Sequence, residues 1–457
     1  MCKRIIMAAV MIFVLFLGTQ DVHAIGLSRE NIDSLQSIVD TADEGDTIFL
    51  EDKDYDGPLI IDKSVTIVGN GCKIIGDGKT DTIVLSADGI ELDNILVTVE
   101  GSKCNLESSS ILIKSNYNKI RHCTIRQSHY GLHLENANNN YIYENQIIGD
   151  GGIDISDKGA GIMLEYSSDN TFEDNKIGEV QDGLYFYYAN DNIIRNNNIT
   201  ESRYGLHLMD CSARNQLLGN TLDHNVTGIM AMLAEDTIIE GNEIKNQYDY
   251  HGVGLIVYEC LHTTIKANVI TDNTYGIQMS HATDTTILNN IVSQNSIGLI
   301  LGEALTGNEI YENNFVGNVR QYSVLTQESI KLYSGNRGNY WDDYDGHDIE
   351  GDGIGSKPYV AGKKYFEYII NLRNELQLFF NSPAMILLDV VKSPDTKLDT
   401  MDQYPLVLPT KYIETAKQNN ASGLLWYIVL SLIMIAVSLF IFLVSRKTVW
   451  EYHHETK

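Results

Sequence analysis

Histidine and methionine recur at matching positions in two neighbouring sequence repeats. His207 and Met209 follow one glycine at two and four residues, and Met230 and Met232 follow the glycine of the next repeat at the same spacing. If the repeats stack in register, one imidazole and three thioethers lie on one face. These ligands suit Cu(I) better than Mg²⁺ or Ca²⁺, and the lack of thiolate favours exchange over permanent storage. We therefore predict a Cu(I) site here; the alternative is a hydrophobic protein-binding patch, because exposed Met and Tyr are adaptable contact residues.

Two further groups of residues could bind a cation. His133 and Met163 each lie two residues after an earlier glycine, but an insertion separates their repeats, so they form a secondary copper candidate. Asp348, Glu350 and Asp352 offer oxygen ligands at alternate positions, as at the start of a calcium loop. The twelfth position of that loop is tyrosine instead of glutamate. This excludes a complete EF-hand and leaves a plain acidic turn as the alternative to a Ca²⁺ site.

The elements that would position these side chains are repeats of about 22 residues. Eight repeats begin with a glycine: Gly131, Gly161, Gly183, Gly205, Gly228, Gly254, Gly276 and Gly298. The first and third residues after each glycine are mostly apolar, so alternate residues face opposite sides of a strand. One repeat buries too little apolar area to fold alone, whereas stacked coils bury a continuous core. We predict an all-β chain, a right-handed parallel β-helix of the pectin-lyase-like solenoid type.

Other recurring positions predict how the coils are held together. One asparagine recurs in each repeat, at Asn145, Asn175, Asn197, Asn220, Asn242, Asn268, Asn290 and Asn313. Asparagine tolerates a left-handed backbone and can bond a neighbouring coil, so we expect a ladder at a turn. The sixth residue after each glycine is small, which predicts that Cys211 and Cys260 are buried. Ile32 to Val39 is predicted to be a short helix that caps the open core.

The two ends of the chain carry localisation signals. A charged start followed by an apolar run predicts a cleaved signal peptide. Residues 424–444 carry no charge and precede Arg446 and Lys447, which predicts a single-pass membrane helix with the bulk of the chain outside and the C-terminus in the cytoplasm. The predicted segments are a signal peptide at 1–24, the β-helix at 25–338, a C-terminal cap and transporter-docking segment at 339–410, a linker at 411–423, the transmembrane helix at 424–444 and a cytoplasmic tail at 445–457.

Charge and composition limit the possible partners. The 457 residues include 33 basic and 61 acidic side chains, for a net charge of −28. Such acidity argues against nucleic acid, since phosphate binding needs a basic patch. It also argues against an anionic polysaccharide, although a local basic groove would overcome that objection.

A carbohydrate-active enzyme is the alternative function on this fold. Glu135 and Glu165 could pair on adjacent coils, as a hydrolase requires. A lyase or epimerase needs a base with cationic groups that neutralise a uronate carboxylate. The repeats show no Arg or Lys cluster beside the two glutamates. A non-catalytic adhesive repeat protein is the second alternative.

Several segments together resemble the NosD family. They are GDTIFLEDKDYDGPLIIDKSVTIVGNG, the repeats, GNYWDDYDGHDIEGDGIGSKPY and a later part that contains FEYIINLRNELQLFFNSPAMILLDVV and DQYPLVLP. The repeats are shared with many β-helix proteins, whereas the NYWDDY block and the segments after it are much more specific. The likeness covers roughly residues 28 to 409 by eye.

The resemblance implies an accessory role in the maturation of nitrous oxide reductase, outside the cytoplasmic membrane. NosD proteins work with an ABC transporter made of an ATPase and a permease, and help to assemble the copper–sulfur centre of the reductase. A small copper chaperone lipoprotein is a further implied partner. By this resemblance the chain relays copper and is not itself an enzyme. The family supplies no residue-level copper motif, so the ligands above rest on the repeat positions alone.

Overall fold

The structure is a computed structural model that describes residues 34–100, 108–126, 129–247, 252–325, 330–360 and 400–410. The predicted signal peptide, linker, transmembrane helix and cytoplasmic tail lie outside the described residues. Among the residues described, no helix combines the length and the apolar character needed to cross a bilayer. The elements given below belong to one compact unit that ends at Val407.

The chain winds into coils, and each coil gives one short strand to each of three parallel sheets. Sheet 1 has 12 strands: Thr47–Phe49, Thr66–Val68, Glu91–Asp93, Lys119–Arg121, Tyr141–Tyr143, Thr171–Glu173, Ile193–Arg195, Gln216–Leu218, Ile238–Glu240, Thr264–Lys266, Thr286–Leu288 and Glu309–Tyr311. Sheet 2 has 13 strands: Asp54–Asp56, Lys73–Gly76, Leu96–Val99, Thr124–Arg126, Gln146–Ile148, Lys176–Gly178, Asn198–Thr200, Thr221–Asp223, Glu243–Lys245, Val269–Thr271, Ile291–Ser293, Asn314–Val316 and Tyr340–Trp341.

Sheet 3 contains the longest strands and carries the predicted copper ligands. Its 12 strands are Leu59–Ile61, Ile83–Leu85, Ser109–Ile113, Tyr130–Glu135, Ile162–Glu165, Asp182–Tyr187, Tyr204–Met209, Thr227–Met232, Val253–Tyr258, Tyr275–Ser280, Ile297–Leu301 and Arg320–Val324. Residues at the same repeat position pair from coil to coil, as Leu184 pairs with Leu206 and Leu206 with Ile229. All three of these side chains are fully buried. The predicted parallel β-helix and its core columns are confirmed.

Within the described residues, one short α-helix precedes the strands and one 3₁₀ helix lies between them. The α-helix Leu35–Thr41 begins at Ser34, whose side chain accepts a hydrogen bond from the Ser37 N–H, and it buries Leu35, Ile38 and Val39. It packs against Leu59–Ile61, the first strand of sheet 3, which agrees with the predicted cap over the core. A 3₁₀ helix, Ile155–Asp157, lies in the insertion between the fourth and fifth strands of sheet 3.

The predicted asparagine ladder is present and fully hydrogen-bonded. The Asn220 carboxamide accepts from the backbone and side-chain N–H groups of Asn197 and donates to the Ile194 carbonyl and to the Asn242 side chain. The backbone prediction was wrong, because the left-handed residue in each turn precedes the ladder asparagine, as Asn196 does with φ of 55°. The ladder asparagines themselves are not among the residues with positive φ.

Two more ladders were not predicted. One joins Asn118, Asn140, Asn170, Asn192 and Asn215, and the other joins Asn225, Gln247, Asn273, Asn295 and Asn318. These side chains are buried, so the ladders satisfy polar groups that would otherwise be costly to enclose. Each corner of the coil is thereby tied to the corner above and below it.

The two cysteines predicted to be buried differ. Cys260 is fully buried, as expected. Cys211 is exposed, which corrects the prediction. Its coil holds one extra residue at this corner, so Ser212 takes the buried place and both Asp210 and Cys211 adopt positive φ. The extra residue therefore turns the Cys211 thiol out of the core.

The C-terminal end of the β-helix is closed by stacked aromatic rings and a buried carboxylate. The indole of Trp341 lies between Phe315 and Tyr359, at centroid distances of 4.4 and 4.6 Å. Asp402 accepts hydrogen bonds from the Trp341 indole N–H at 2.9 Å and from the Asn339 backbone N–H at 2.7 Å. Burial nevertheless raises the pKa of Asp402 to about 6.

Candidate metal site on sheet 3

The four residues of the primary copper prediction line one cavity on the outer face of sheet 3. His207 pairs in register with Met230, one coil further on. Met209 and Met232 lie two residues beyond them on the same two strands, and all four line a cavity of about 430 Å³. His207 is 6% exposed, and the three methionines are half-buried. The stacking of repeats therefore gathers one imidazole and three thioethers, as the columns predict.

A buried carboxylate orients the imidazole. Nδ1 of His207 lies 3.0 Å from Oδ2 of Asp182, which stands on the preceding coil. In a neutral imidazole this hydrogen bond places the proton on Nδ1, so Nε2 keeps the lone pair that a metal needs. A carboxylate behind a ligating histidine fixes its tautomer and ring direction and raises its basicity.

Arg203 holds that carboxylate in turn. Its Nε donates to Oδ1 of Asp182 at 3.0 Å, and an Nη donates to Oδ2 at 2.8 Å. The side chain of Asp182 is only 4% exposed. A planar fork of this kind fixes the carboxylate in one orientation. The arrangement leaves His207 little freedom to rotate.

The repeat positions did not predict Asp182, because the alternation of buried and outward residues along the strand is interrupted at the leading glycine. In Tyr204–Met209 the glycine and the leucine after it are both buried, so the residue before the glycine shares the outer face. A Cβ on Gly205 would lie 2.6 Å from the carbonyl oxygen of Gly228, which explains why this position is glycine. Asp182 and Tyr204 occupy this third outward column and pair in register. A recurring glycine inside a strand pattern is the signal that could have revealed it.

Two tyrosines enclose the imidazole. The rings of Tyr185 and Tyr204 each have their centroid 4.7 Å from that of His207, at interplanar angles of 49° and 72°. The Tyr185 hydroxyl donates to Sδ of Met209 at 3.2 Å. Burial, with the nearby Asp210 and Asp182 carboxylates, raises the pKa of Tyr185 to about 12. The hydroxyl therefore stays protonated and remains a hydrogen-bond donor throughout the physiological range.

The donor set fits a soft monovalent ion. Nε2 of His207 and the thioethers of Met209, Met230 and Met232 are neutral ligands that line one cavity, and the Asp182 carboxylate in the same cavity bonds to His207 and Arg203. Thioether and imidazole ligands select Cu(I) over hard divalent cations, which prefer oxygen. Half-burial leaves the methionine sulfurs accessible from outside. The geometry suits an ion that is bound and then released.

The secondary pair lies in an adjoining cavity. His133 and Met163 pair in register despite the insertion, and they line a cavity of about 580 Å³ that shares Tyr130 and Tyr185 with the first. Nε2 of His133 lies 3.3 Å from Glu165. This contact occupies the ring nitrogen that would face a metal, so the pair is a less open ligand set than His207.

The same cavity changes one argument made from the sequence. Glu135 and Glu165 do pair in register on adjacent coils. Lys114 lies 2.9 Å from Glu135, so a cation does stand beside the two glutamates. Lys114 directly follows the preceding strand of sheet 3, Ser109–Ile113, and lies before the first glycine-led repeat. The cavity thus holds carboxylates, a cation, an imidazole and tyrosines.

The cavity also contains a histidine that the repeat positions did not predict. His129 lines the same cavity as His207 and lies edge-on to Tyr130, with ring centroids 4.6 Å apart. Burial lowers the pKa of His129, which favours the neutral imidazole. It lies two residues before Gly131, outside the repeat positions that predicted the other ligands. The cavity therefore contains two imidazoles.

The predicted cation loop does not converge on a common point. Asp348 accepts hydrogen bonds from the backbone N–H groups of Gly351 and Gly353, at 2.6 and 2.9 Å, which lowers the pKa of its carboxyl group. Within the described ranges, one trio of acidic and histidine side chains brings its ligand atoms within 4.8 Å of one another. It is Glu235, Asp236 and His262, all exposed at a corner of the coil. The Asp348 carboxylate instead stabilises its own turn.

Comparison with known proteins defines the class first. Residues 59–222 match the family model described as right-handed β-helix region, which confirms the handedness. The A-module of the mannuronan C-5 epimerase AlgE6 from Azotobacter vinelandii is similar in fold, with a TM-score of 0.52 and 15% identity over 66% of this chain and 92% of that one. At this identity the likeness shows the fold alone. The chain is a right-handed parallel β-helix protein with a soft-ligand cavity on one face.

Three further matches concern the family of the chain. Residues 143–346 match the family model described as periplasmic copper-binding protein (NosD). The probable ABC transporter binding protein NosD of Pseudomonas aeruginosa is 26% identical over 77% of this chain and 86% of its own length, and that of Stutzerimonas stutzeri is 26% identical over 81% and 88%. These matches support membership of the chain in the NosD family, which the sequence segments together predicted.

Proposed function

We propose that the chain is an extracytoplasmic copper-binding and relay subunit, which works with an ABC transporter to assemble the copper–sulfur centre of nitrous oxide reductase. The observation that carries the proposal is the cavity that gathers His207 with three methionines in front of a buried Asp182. The family description, periplasmic copper-binding protein, and the name of the two relatives, probable ABC transporter binding protein NosD, support it.

In this proposal each side chain has a distinct role. Nε2 of His207 and the sulfurs of Met209, Met230 and Met232 bind Cu(I), while Asp182 positions the imidazole. Neutral ligands leave the bound ion with its positive charge, which the acidic surface of a chain with net charge −28 attracts. His133 and Met163 form a weaker secondary site, and Ca²⁺ at 348–352 remains a minor proposal.

The partners follow from the family. The chain receives copper from a lipoprotein chaperone and acts beside a permease and an ATPase, and the reductase accepts the product. ATP hydrolysis belongs to the ATPase subunit, so the chain is an accessory factor and not an enzyme. The segment 339–410 docks on the permease, and a membrane helix at 424–444 keeps the β-helix beside the transporter.

Anaerobic Cu(I) titration against a competing chelator tests the site. The variant His207→Ala/Met209→Ala/Met230→Ala/Met232→Ala should bind Cu(I) more than about 100-fold more weakly, because even removal of a residue that only orients a ligand costs 10- to 100-fold. His224→Ala, which changes an exposed histidine beside Asp223, is the matched histidine control and should bind like the wild type. Equal affinity in the wild type and the fourfold variant would exclude this site.

A polysaccharide-modifying activity is the second candidate. It is favoured by the adjoining cavity, in which Lys114 pairs with Glu135 and His133 contacts Glu165. A cation beside paired carboxylates could neutralise a uronate while a base removes a proton. Incubation of the purified protein with polymannuronate, followed by absorbance of unsaturated ends and NMR of the polymer, tests it. An unchanged polymer would dismiss this candidate.

A further inference from the structure

The side chain of Tyr185 lies beside the proposed copper ligands. Its hydroxyl donates a hydrogen bond to Sδ of Met209 at 3.2 Å, which is within contact distance for sulfur. Its ring also packs on His207, with centroids 4.7 Å apart. The same residue therefore touches two of the four proposed ligands.

This hydrogen bond competes with metal binding. A thioether sulfur is a weak acceptor with two lone pairs, and a hydrogen bond to one of them makes the sulfur a poorer donor to a metal. Met230 and Met232 are on the next coil, and no hydrogen bond from Tyr185 to either sulfur is found in the described part of the chain. The competition thus falls on Met209 alone.

Tyr185 also lies where the two cavities meet. It is one of two residues that line both the cavity of His207 and the cavity of His133. A rotation that freed Met209 would move the tyrosine within this shared wall. A movement of Tyr185 that releases Met209 would therefore also change the shape of both cavities.

We propose that Tyr185 holds Met209 back from the metal and thereby lowers the Cu(I) affinity of the site, so that the ion stays exchangeable. The inference rests on the proposed Cu(I) site. With Met209 engaged by the hydroxyl, His207, Met230 and Met232 make the first contacts with the ion. Met209 joins them only after its hydrogen bond to Tyr185 breaks.

The test compares Cu(I) affinities of the full chain under anaerobic conditions, with bicinchoninate as the competing chelator. Tyr185→Phe should bind Cu(I) about fivefold more tightly, since a net hydrogen bond of about 1 kcal/mol corresponds to that ratio. In a Met209→Ala background the same change should have no effect. Tyr143→Phe is the matched control, because the Tyr143 hydroxyl accepts a hydrogen bond from Arg121 on sheet 1, away from the proposed copper ligands on sheet 3, and should not influence copper.

The outcomes separate this inference from the proposed function. If the wild type binds Cu(I) and Tyr185→Phe binds equally or more weakly, Tyr185 does not restrain Met209. A gain that persists without Met209 would also overturn the proposal. If neither the wild type nor Tyr185→Phe binds Cu(I), the copper function itself is wrong. Circular dichroism and thermal melts establish that each variant is folded.

Discussion

Asp182 is the residue whose loss should distinguish a built metal site from a chance cluster. Its side chain is 4% exposed and accepts two hydrogen bonds from Arg203, at 2.8 and 3.0 Å, and one from His207 at 3.0 Å. Asp182→Ala removes the acceptor for all three. The guanidinium and the imidazole would then lack a partner in a mostly buried place.

The size of the effect follows from these contacts. Breaking a buried ion pair typically costs about 3–5 kcal/mol of unfolding free energy. The Arg203 side chain is 38% exposed and can regain water, so we expect a smaller loss, about 1.5–3 kcal/mol. Because the imidazole is no longer oriented, Cu(I) affinity should fall roughly 10- to 100-fold.

Urea denaturation followed by circular dichroism measures the stability, and competition titration measures the affinity. Asp191→Ala is a matched control, since Arg214 grips Asp191 in the same two-bond geometry, at 2.6 and 2.7 Å, but at an exposed corner. It should cost less than about 1 kcal/mol and leave copper binding unchanged. Similar losses in the two variants, for either stability or affinity, would refute the reasoning.

Other parts of the fold give three more expectations. Asn220→Ala should lower the unfolding free energy by about 2–4 kcal/mol, because four buried hydrogen bonds are lost; a change below about 1 kcal/mol in urea titration would contradict the ladder. Burial raises the pKa of Asp402 to about 6, so the folded protein retains a proton that the unfolded chain releases near pH 4. Its stabilising effect is full below about pH 4 and is lost as pH rises through about 6, so Asp402→Asn should flatten the dependence of Tm on pH over this interval; an unchanged slope would argue against it. Iodoacetamide should label Cys211 in the folded protein and leave Cys260 unlabelled until unfolding, as peptide mass spectrometry would reveal; equal labelling rates would contradict the exposed corner.

The β-helix and its inward columns could be predicted because burial imposes a strict pattern on every coil. Leu184, Leu206 and Ile229 must be apolar to fill one core, so the repeat is visible in a single sequence. The outward pairing of His207 with Met230 follows from the same register. Local alternation and coil length were sufficient for these features.

The remaining features depend on deviations from that pattern. Asp182 reaches the site because the strand kinks at a glycine, and a strict alternation would have placed it inside. Cys211 left the core because one extra residue at its corner moved Ser212 into the buried place. Repeat spacing places Tyr185 beside His207, but it encodes neither the hydrogen bond of Tyr185 to Met209 nor the contact of Arg203 with Asp182, because both depend on side-chain directions. Such contacts depend on three-dimensional packing, and the pattern alone could not supply them.

The kink at the leading glycine has an evolutionary consequence. It gives the glycine-led coils of sheet 3 three outward positions in place of two, and substitutions there leave the apolar columns of the core intact. Substitutions at these outward positions can change the surface chemistry of one coil at a time, and duplication of a coil adds further outward positions. A protein with 15% identity to this chain can thus share its fold, because function and folding depend on different positions of the coil.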